Sequence, residues 1–573
     1  MSGNSEAAPP PAPPPARRRL GLALLLLNAC VFLLAHEAAF RLPLCANDDV
    51  RQQIFWMRQW RDASPPPPDL LIDYARAYVP WGVKGLYWLA APAIDPLLFS
   101  KILPGLLFVS LGMLLFALGR RLAGPAAGAC AVGAYWLTPF FLDQLAGGLA
   151  HSFAAPLLAL FALGWLERRP GVVGAALLLQ ALFIPYLTPV CAGAALLTRA
   201  VPRRWRGDAW VWPTTWTQAT ALAAAIALAL AWARTLDGAG LGPWANAREL
   251  SSLPELSAAG RLGFWPPPSL LYEGFVAPWE WIGPFRELGL PAGAAVTALL
   301  LAGCAWAAPR VAWRALQPAL PLALSLAAAS IGAFLLARLF PLRFFIPDRY
   351  VIHPVHLAYA LLLGLAAHAA WRAWTPRRPA AAAAALLLAA ASLGATRLHG
   401  VGLYDFSPDA PVVAAARALP PDALLAGPPA CMDNVLAFGQ RRVLASFELA
   451  HPWLRGYWAQ IEPRLRELFD AYYADDPAAV RAFCSRHHVD FLVVDERDFP
   501  PQAGGKPVSA SDPRAPDFLQ GRPFFAPFDR QIQSRLAAHP HFAVLSASDF
   551  PYARLDSNRR LLDMRPSPRS TTP

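Results

Sequence analysis

Arg17-Arg18-Arg19 leads into an apolar run, Leu20 to Phe40, that is long enough to cross a bilayer. The run has no obvious small-residue cleavage site, so it reads as a retained anchor. Similar runs recur at about 101–119, 126–142, 150–166, 171–184, 187–198, 216–235, 291–308, 318–339, 351–371 and 380–397. A chain that is 56% hydrophobic and 15% charged, with mean hydropathy +0.35, departs from soluble domains, which carry about 25% charge. The pattern predicts an α-helical polytopic membrane protein with about eleven transmembrane helices. The net charge of +12 and pI near 9.7 do not point to nucleic acid. The cations cluster in short loops between apolar runs, as at Arg120/Arg121, Arg168/Arg169 and Arg372 to Arg378, where membrane topology places them.

Orientation follows from the same clusters. With a cytoplasmic N-terminus, two short helices around Pro185-Tyr186-Leu187-Thr188-Pro189 keep Arg203, Arg204 and Arg206 inside, whereas one merged helix would not. The expected organisation is a disordered cytoplasmic segment at 1–19, a transmembrane domain at 20–397 with outer loops 41–100 and 237–290, and an extracytoplasmic soluble domain at 398–573. In that last part Ala423-Leu424-Leu425-Ala426 and Phe491-Leu492-Val493-Val494-Asp495 read as strands and Arg464 to Tyr473 as an amphipathic helix, which predicts an α/β module. There is no CxxC pair; Cys431 and Cys484 could form a disulfide if their side of the membrane is oxidising.

Four segments carry candidate chemistry. Asp48-Asp49-Val50-Arg51 sits at the mouth of the first helix, where paired acids either cap a helix or act as a general base. Tyr78 to Leu89 is either an aromatic belt or a segment presenting Lys84 to a lipid phosphate. Asp143 to Phe153 places Asp143 and His151 in a short outer turn with Gly147-Gly148. Leu342 to His353 is either a salt-bridged loop or a phosphate clamp built from Arg343 and Arg349. Trp244, Trp265, Trp279 and Trp281 offer faces for stacking on sugar rings. No P-loop or dinucleotide fingerprint occurs, and no inner loop is long enough for a nucleotide-sugar domain. If the protein transfers sugars, the donor should arrive on a lipid.

Asp48-Asp49-Val50-Arg51 is similar to the Asp-Glu-x-Arg-type motif in the first outer loop of the GT-C class of membrane glycosyltransferases. That class includes the protein O-mannosyltransferases and the lipid A aminoarabinose transferases. Pro80 to Leu89 is similar to the class's Lys-Pro-Pro-Leu-x-x-Trp-Leu-like segment. The resemblance implies a GT-C-like fold in a bacterial inner (plasma) membrane. It implies inverting transfer from a polyprenyl-phosphate sugar donor to a glycan, lipid or protein acceptor at the extracytoplasmic face. Carried over, Asp48 is the general base and Asp49 its acidic neighbour, and Arg51 and Lys84 contact the donor phosphate; Arg343 and Arg349, from the clamp reading of their own segment, are further candidates for that contact. Asp143, His151, Trp265 and Trp279 line the substrate cavity. No cofactor is required by the motifs, although class members that use pyrophosphate donors need a divalent cation, for which Asp49 or Asp143 would be ligands. The alternatives are a transporter or flippase for a lipid-linked or anionic substrate, and a non-catalytic scaffold.

Overall fold

The structure, a computed structural model, describes residues 15–61, 69–201, 210–238, 240–253, 269–281, 289–307, 317–340, 346–374, 379–499, 526–538, 542–545 and 550–565. Among these, five helices are long and apolar enough to cross a membrane: Arg18–Ala35, Pro96–Ala123, Trp216–Thr235, Leu320–Leu339 and Ile352–Ala373. A sixth arises if Pro125–Trp136 and Pro139–Leu145, bent by 71°, count as one. Several of the other expected spans are apolar helices too short for that test, among them Ala150–Leu166 and Pro170–Phe183. Proline opens many of these pieces, at Pro125, Pro139, Pro170 and Pro185. It suits a first helical turn and breaks an interior one, so a single apolar stretch folds as several short rods.

The first helix, α1 (Pro15–Ala35), packs along α2 (Pro96–Ala123) and α4 (Pro379–Leu398), and α2 packs along α3 (Pro125–Trp136). Small residues set these crossings. A Cβ at Gly128 would collide with the backbone oxygen of Phe116, so only glycine allows α2 and α3 to lie this close. One polar device sits in the packed interior: Asn28 Nδ2 donates to the Leu24 carbonyl (2.8 Å) and its Oδ1 accepts from Trp136 Nε1 (2.9 Å). Both ends of the amide thereby have a protein partner within the bundle.

The C-terminal segment carries a five-stranded sheet in the order β4-β3-β5-β7-β6, with β3 Leu424–Ala426, β4 Arg442–Val443, β5 Phe491–Asp495, β6 Tyr552–Arg554 and β7 Arg559–Asp563. β3 pairs parallel with β4 and β5, whereas β7 pairs antiparallel with β5 and β6. Every residue of β5 is buried. The expected Arg464–Tyr473 helix is longer, Arg455–Tyr472, and buries Tyr457, Ile461, Leu465 and Leu468 at helical spacing. Cys431 and Cys484 are free thiols and form no disulfide.

This segment is stitched to the loop after α1. β1 (Cys45–Ala46) pairs antiparallel with β2 (Tyr404–Asp405), Gly400 N donates to the Ala35 carbonyl (2.9 Å), and Asn47 Nδ2 donates to the Gly402 carbonyl (3.0 Å). Tyr74 stacks on Tyr457 at 3.8 Å and its hydroxyl meets His451 Nδ1 at 3.0 Å. Arg51 is the central tie. It is 6% exposed and lies over the Phe406 ring at 4.1 Å. It pairs with Asp48 and donates to Asn434 Oδ1 (3.2 Å) and Glu448 Oε1 (3.4 Å), with Asp433 Oδ2 at 3.9 Å. Replacing Arg51 by Ala would leave Asp433 and Glu448 buried beside a lost cation. The expected cost is about 3–5 kcal/mol, as for other buried pairs broken on one side. The thermal midpoint of the purified protein checks this; an unchanged midpoint contradicts it.

Candidate active site

The loop after α1 turns at Asn47, whose side-chain Oδ1 accepts the Asp49 N–H (3.1 Å). Asn47 therefore serves the turn, and the Asp49 carboxylate makes no capping bond to the short helix Val50–Gln53 that it precedes. Instead, Asp49 Oδ2 lies 3.2 Å from His151 Nε2, and Oδ1 accepts from Gln52 Nε2 (2.7 Å). His151 Nδ1 faces the Gln144 carbonyl at 2.6 Å. Both ring nitrogens thus face oxygen acceptors, which fixes the orientation of the ring. Gln144 also links outward: its Nε2 donates to Asp143 Oδ2 (3.0 Å) and its Oε1 accepts from Arg349 Nη1 (3.4 Å).

Two glycines make this approach feasible. Gly147 and Gly148 have φ of +86° and +62°, which a side chain would strain. A Cβ on Gly147 would sit 2.9 Å from Asn47 Oδ1, so the turn before His151 must be bare to lie against the acidic loop. Tyr87 pins it from behind, its hydroxyl donating to the Gly147 carbonyl (3.1 Å).

Electrostatics separates the acids. Burial pushes Asp49 up, but the His151 hydrogen bond and charge, together with Arg349 and Gln52, outweigh it and hold the carboxyl below the usual range. Arg349 is stabilised in its charged form: burial opposes the charge, and Asp348, Tyr186, Asp49 and Asp143 overcome that. A further acid joins them. Glu273, on the helix Leu270–Phe275, is 4% exposed and faces Asp348, Glu280 and Arg349. Burial, then its two acidic neighbours, push its carboxyl up to about 8, so it is uncharged at neutral pH.

The structure therefore brings Asp49, Asp143, His151 and Arg349 together, with Asp48 and Arg51 adjoining them. It does not join the others to this group. Arg51, expected at the donor phosphate, is instead engaged by Asp48 and by the C-terminal segment, as described above. Lys84 Nζ donates to the Arg76 carbonyl (3.0 Å), and among the described residues no hydrogen bond or ion pair ties it to Asp49. Trp279, expected in the cavity, is buried in helix packing: its Nε1 donates to Thr297 Oγ1 (2.9 Å) and its ring meets Tyr359 edge-on at 5.4 Å. Arg343 and Trp265 lie outside the described residues. Sequence reasoning missed Glu273; its one signal is a lone acid amid the apolar residues Leu270-Leu271-Tyr272 and Phe275-Val276. It also missed His353, fully buried with neither ring nitrogen hydrogen-bonded.

No group of three or more His, Cys, Asp or Glu side chains able to hold a metal occurs among the described residues.

Solved glycosyltransferase structures are similar to this chain. ArnT from Cupriavidus metallidurans bound to undecaprenyl phosphate shares 14% identity over 96% of this chain and 98% of its own, with a TM-score of 0.49. AglB, the oligosaccharyltransferase of Archaeoglobus fulgidus, in complex with an inhibitory peptide and a dolichol-phosphate, shares 14% over 85% of this chain and 70% of its own, with a TM-score of 0.46. The same archaeal enzyme with Zn and sulfate shares 12% over 83% and 68%, also at 0.46. Both are GT-C glycosyltransferases, the class that the acidic loop resembles. All three TM-scores fall below 0.5, so these likenesses carry no activity across. No protein-family model and no curated protein matches the chain.

Glu273 gives a test of the local electrostatics. With its pKa raised from 4.5 to about 8, the folded state binds the proton more tightly than the unfolded state. Its contribution to stability is complete below about 4.5 and is lost as pH rises toward 8. Glu273→Gln removes that loss. The thermal midpoint of the variant relative to wild type should climb across this range and level off above it. A pH-independent difference contradicts the burial of this acid beside Asp348.

Proposed function

We propose that this chain is a membrane glycosyltransferase that moves a sugar from a polyprenyl-phosphate donor to an acceptor hydroxyl or amine. The end of the bundle bearing Asp49 would face the extracytoplasmic side, in a bacterial inner membrane. One observation carries the reading: Asp49, His151 and Arg349, from segments far apart in sequence, converge on one polar cluster at helix ends. A carboxylate and a guanidinium at one membrane-proximal site suit a reaction that needs a base and an anion-binding group together.

In this mechanism the acceptor oxygen or nitrogen attacks the anomeric carbon and loses its proton to Asp49. The bond from that carbon to the phosphate oxygen breaks with inversion. The departing polyprenyl phosphate carries the negative charge, which Arg349 offsets, with Arg343 and Lys84 as further candidate contacts. His151 holds the Asp49 carboxylate in place. Asp48, assigned as base by the sequence resemblance, is reassigned: its pairing with Arg51 makes it part of the tie to the C-terminal segment. Glu273, uncharged, is suited to donate a hydrogen bond to a sugar hydroxyl or phosphate oxygen.

Radiolabel transfer from a polyprenyl-phosphate sugar in proteoliposomes tests this. Asp49→Asn should reduce transfer by about 100-fold or more with expression retained, the scale of a lost general base. Asp48→Asn should cost less activity and more stability. The reverse ranking would restore Asp48 as base. Near-normal transfer by both variants would remove both carboxylates as the base, and no transfer by the wild-type protein would end the transferase reading and favour a transporter of lipid-linked substrates.

A further inference from the structure

A cavity of about 880 Å³ opens at the opposite end of the bundle from Asp49. It lies between the first turns of α1 and the last turns of α2, and is lined by Arg18, Leu22, Leu25, Phe116, Arg120 and Arg121 among others. α2 is 28 residues long, so about 42 Å separate this end from the Asp95 end beside the acidic loop.

Three features of the lining stand together. First, the cations lack acids. The one carboxylate in the wall, Glu167, pairs with Arg169 (2.9 Å), and no carboxylate among the described residues pairs with Arg18, Arg120 or Arg121. Arg18 also sits in the first turn of α1, which carries no acid and whose dipole repels a cation. Second, the wall below the guanidinium groups is apolar, with Arg120 5.8 Å from the Phe116 ring. Third, that wall continues into surface that a bilayer would cover: Leu22 is 60% and Leu25 40% exposed on a helix long and apolar enough to cross a membrane.

We infer that the cavity binds an anionic phospholipid, its phosphate among Arg18, Arg120 and Arg121 and an acyl chain along Leu22, Leu25 and Phe116. A free phosphate ion would satisfy the guanidinium groups and leave the apolar wall uncovered. A zwitterionic lipid would cover the wall and leave most of the positive charge uncompensated. Basic pockets at the ends of membrane helices select acidic headgroups for this reason. The volume lies within the range of small-molecule sites. This inference does not depend on the transferase reading.

Native mass spectrometry of the full-length protein in detergent, with phosphatidylglycerol, phosphatidylcholine or inorganic phosphate added, tests it. Phosphatidylglycerol adducts should persist, phosphatidylcholine adducts should not, and millimolar phosphate should leave the lipid in place. The triple variant Arg18→Gln/Arg120→Gln/Arg121→Gln should lower phosphatidylglycerol occupancy by about tenfold or more. Ala117→Trp, which puts an indole into the wall where the acyl chain would lie and keeps every charge, should lower it as well and decides the matter if the triple variant fails to fold. Arg372→Gln, at a cation outside the lining, should retain the lipid. Retention by the triple variant or by Ala117→Trp overturns the inference. So does equal loss in the Arg372 control, or displacement of the lipid by inorganic phosphate.

Discussion

The buried guanidinium of Arg51 is the interaction on which the rest of this architecture turns. One cation gathers Asp48 from the loop after the first helix and Asn434, Asp433 and Glu448 from the C-terminal segment, under the face of Phe406. A planar fork with five donors can serve acceptors on several sides at once, which an ammonium cannot. The network continues from Asn434 to Asp409 (2.6 Å), from Asp409 to Arg559 and on to Asp556 (2.8 Å), so the loop is tied to the last strand of the sheet. Desolvating so many charges is costly, and such networks commonly serve to fix one arrangement more than to add stability. Here the arrangement fixed is the position of the acidic loop.

That loop shows how two adjacent residues of the same type come to differ. Asp48 points to Arg51 and the sheet segment; Asp49 points to His151 and the cluster around Arg349. The separation follows from Asn47, which takes over the turn and leaves Asp49 uncommitted, and from the bare Gly147-Gly148 turn that lets His151 approach. Glu273 adds a contrasting acid. Held among Asp348 and Glu280 with little solvent, it keeps its proton where Asp49 has lost its own. Pairs of carboxyl groups driven apart in this way are a common feature of sites that handle protons.

Much of this was readable in the sequence, and the reasons for the rest are physical. The strand Phe491–Asp495 shows itself because its first four residues, Phe491 to Val494, form an unbroken apolar run that is buried. Asp49, His151 and Arg349 stand out as charges at the edges of apolar stretches. The partners of Arg51 do not, because Asn434 and Glu448 lie 383 and 397 residues away and no local pattern encodes so distant a contact. Trp279 misleads for a related reason: an indole suited to a sugar face is equally suited to a helix interface, and Thr297 and Tyr359 decide between them. Span counting suffers from proline, which divides apolar stretches into pieces shorter than a bilayer without changing their hydropathy.

The pairing of Asn47 with the Gly402 carbonyl joins positions 355 residues apart. A ribosome adding about 5–20 residues each second needs some tens of seconds to travel that distance. During that interval the first helix is already made, while the backbone partners of its acidic loop do not yet exist. The loop acquires its final shape only when nearly the whole bundle has been synthesised. A protein arranged this way assembles its acidic cluster last, and a nascent chain stalled midway would carry the acids without the scaffold that positions them.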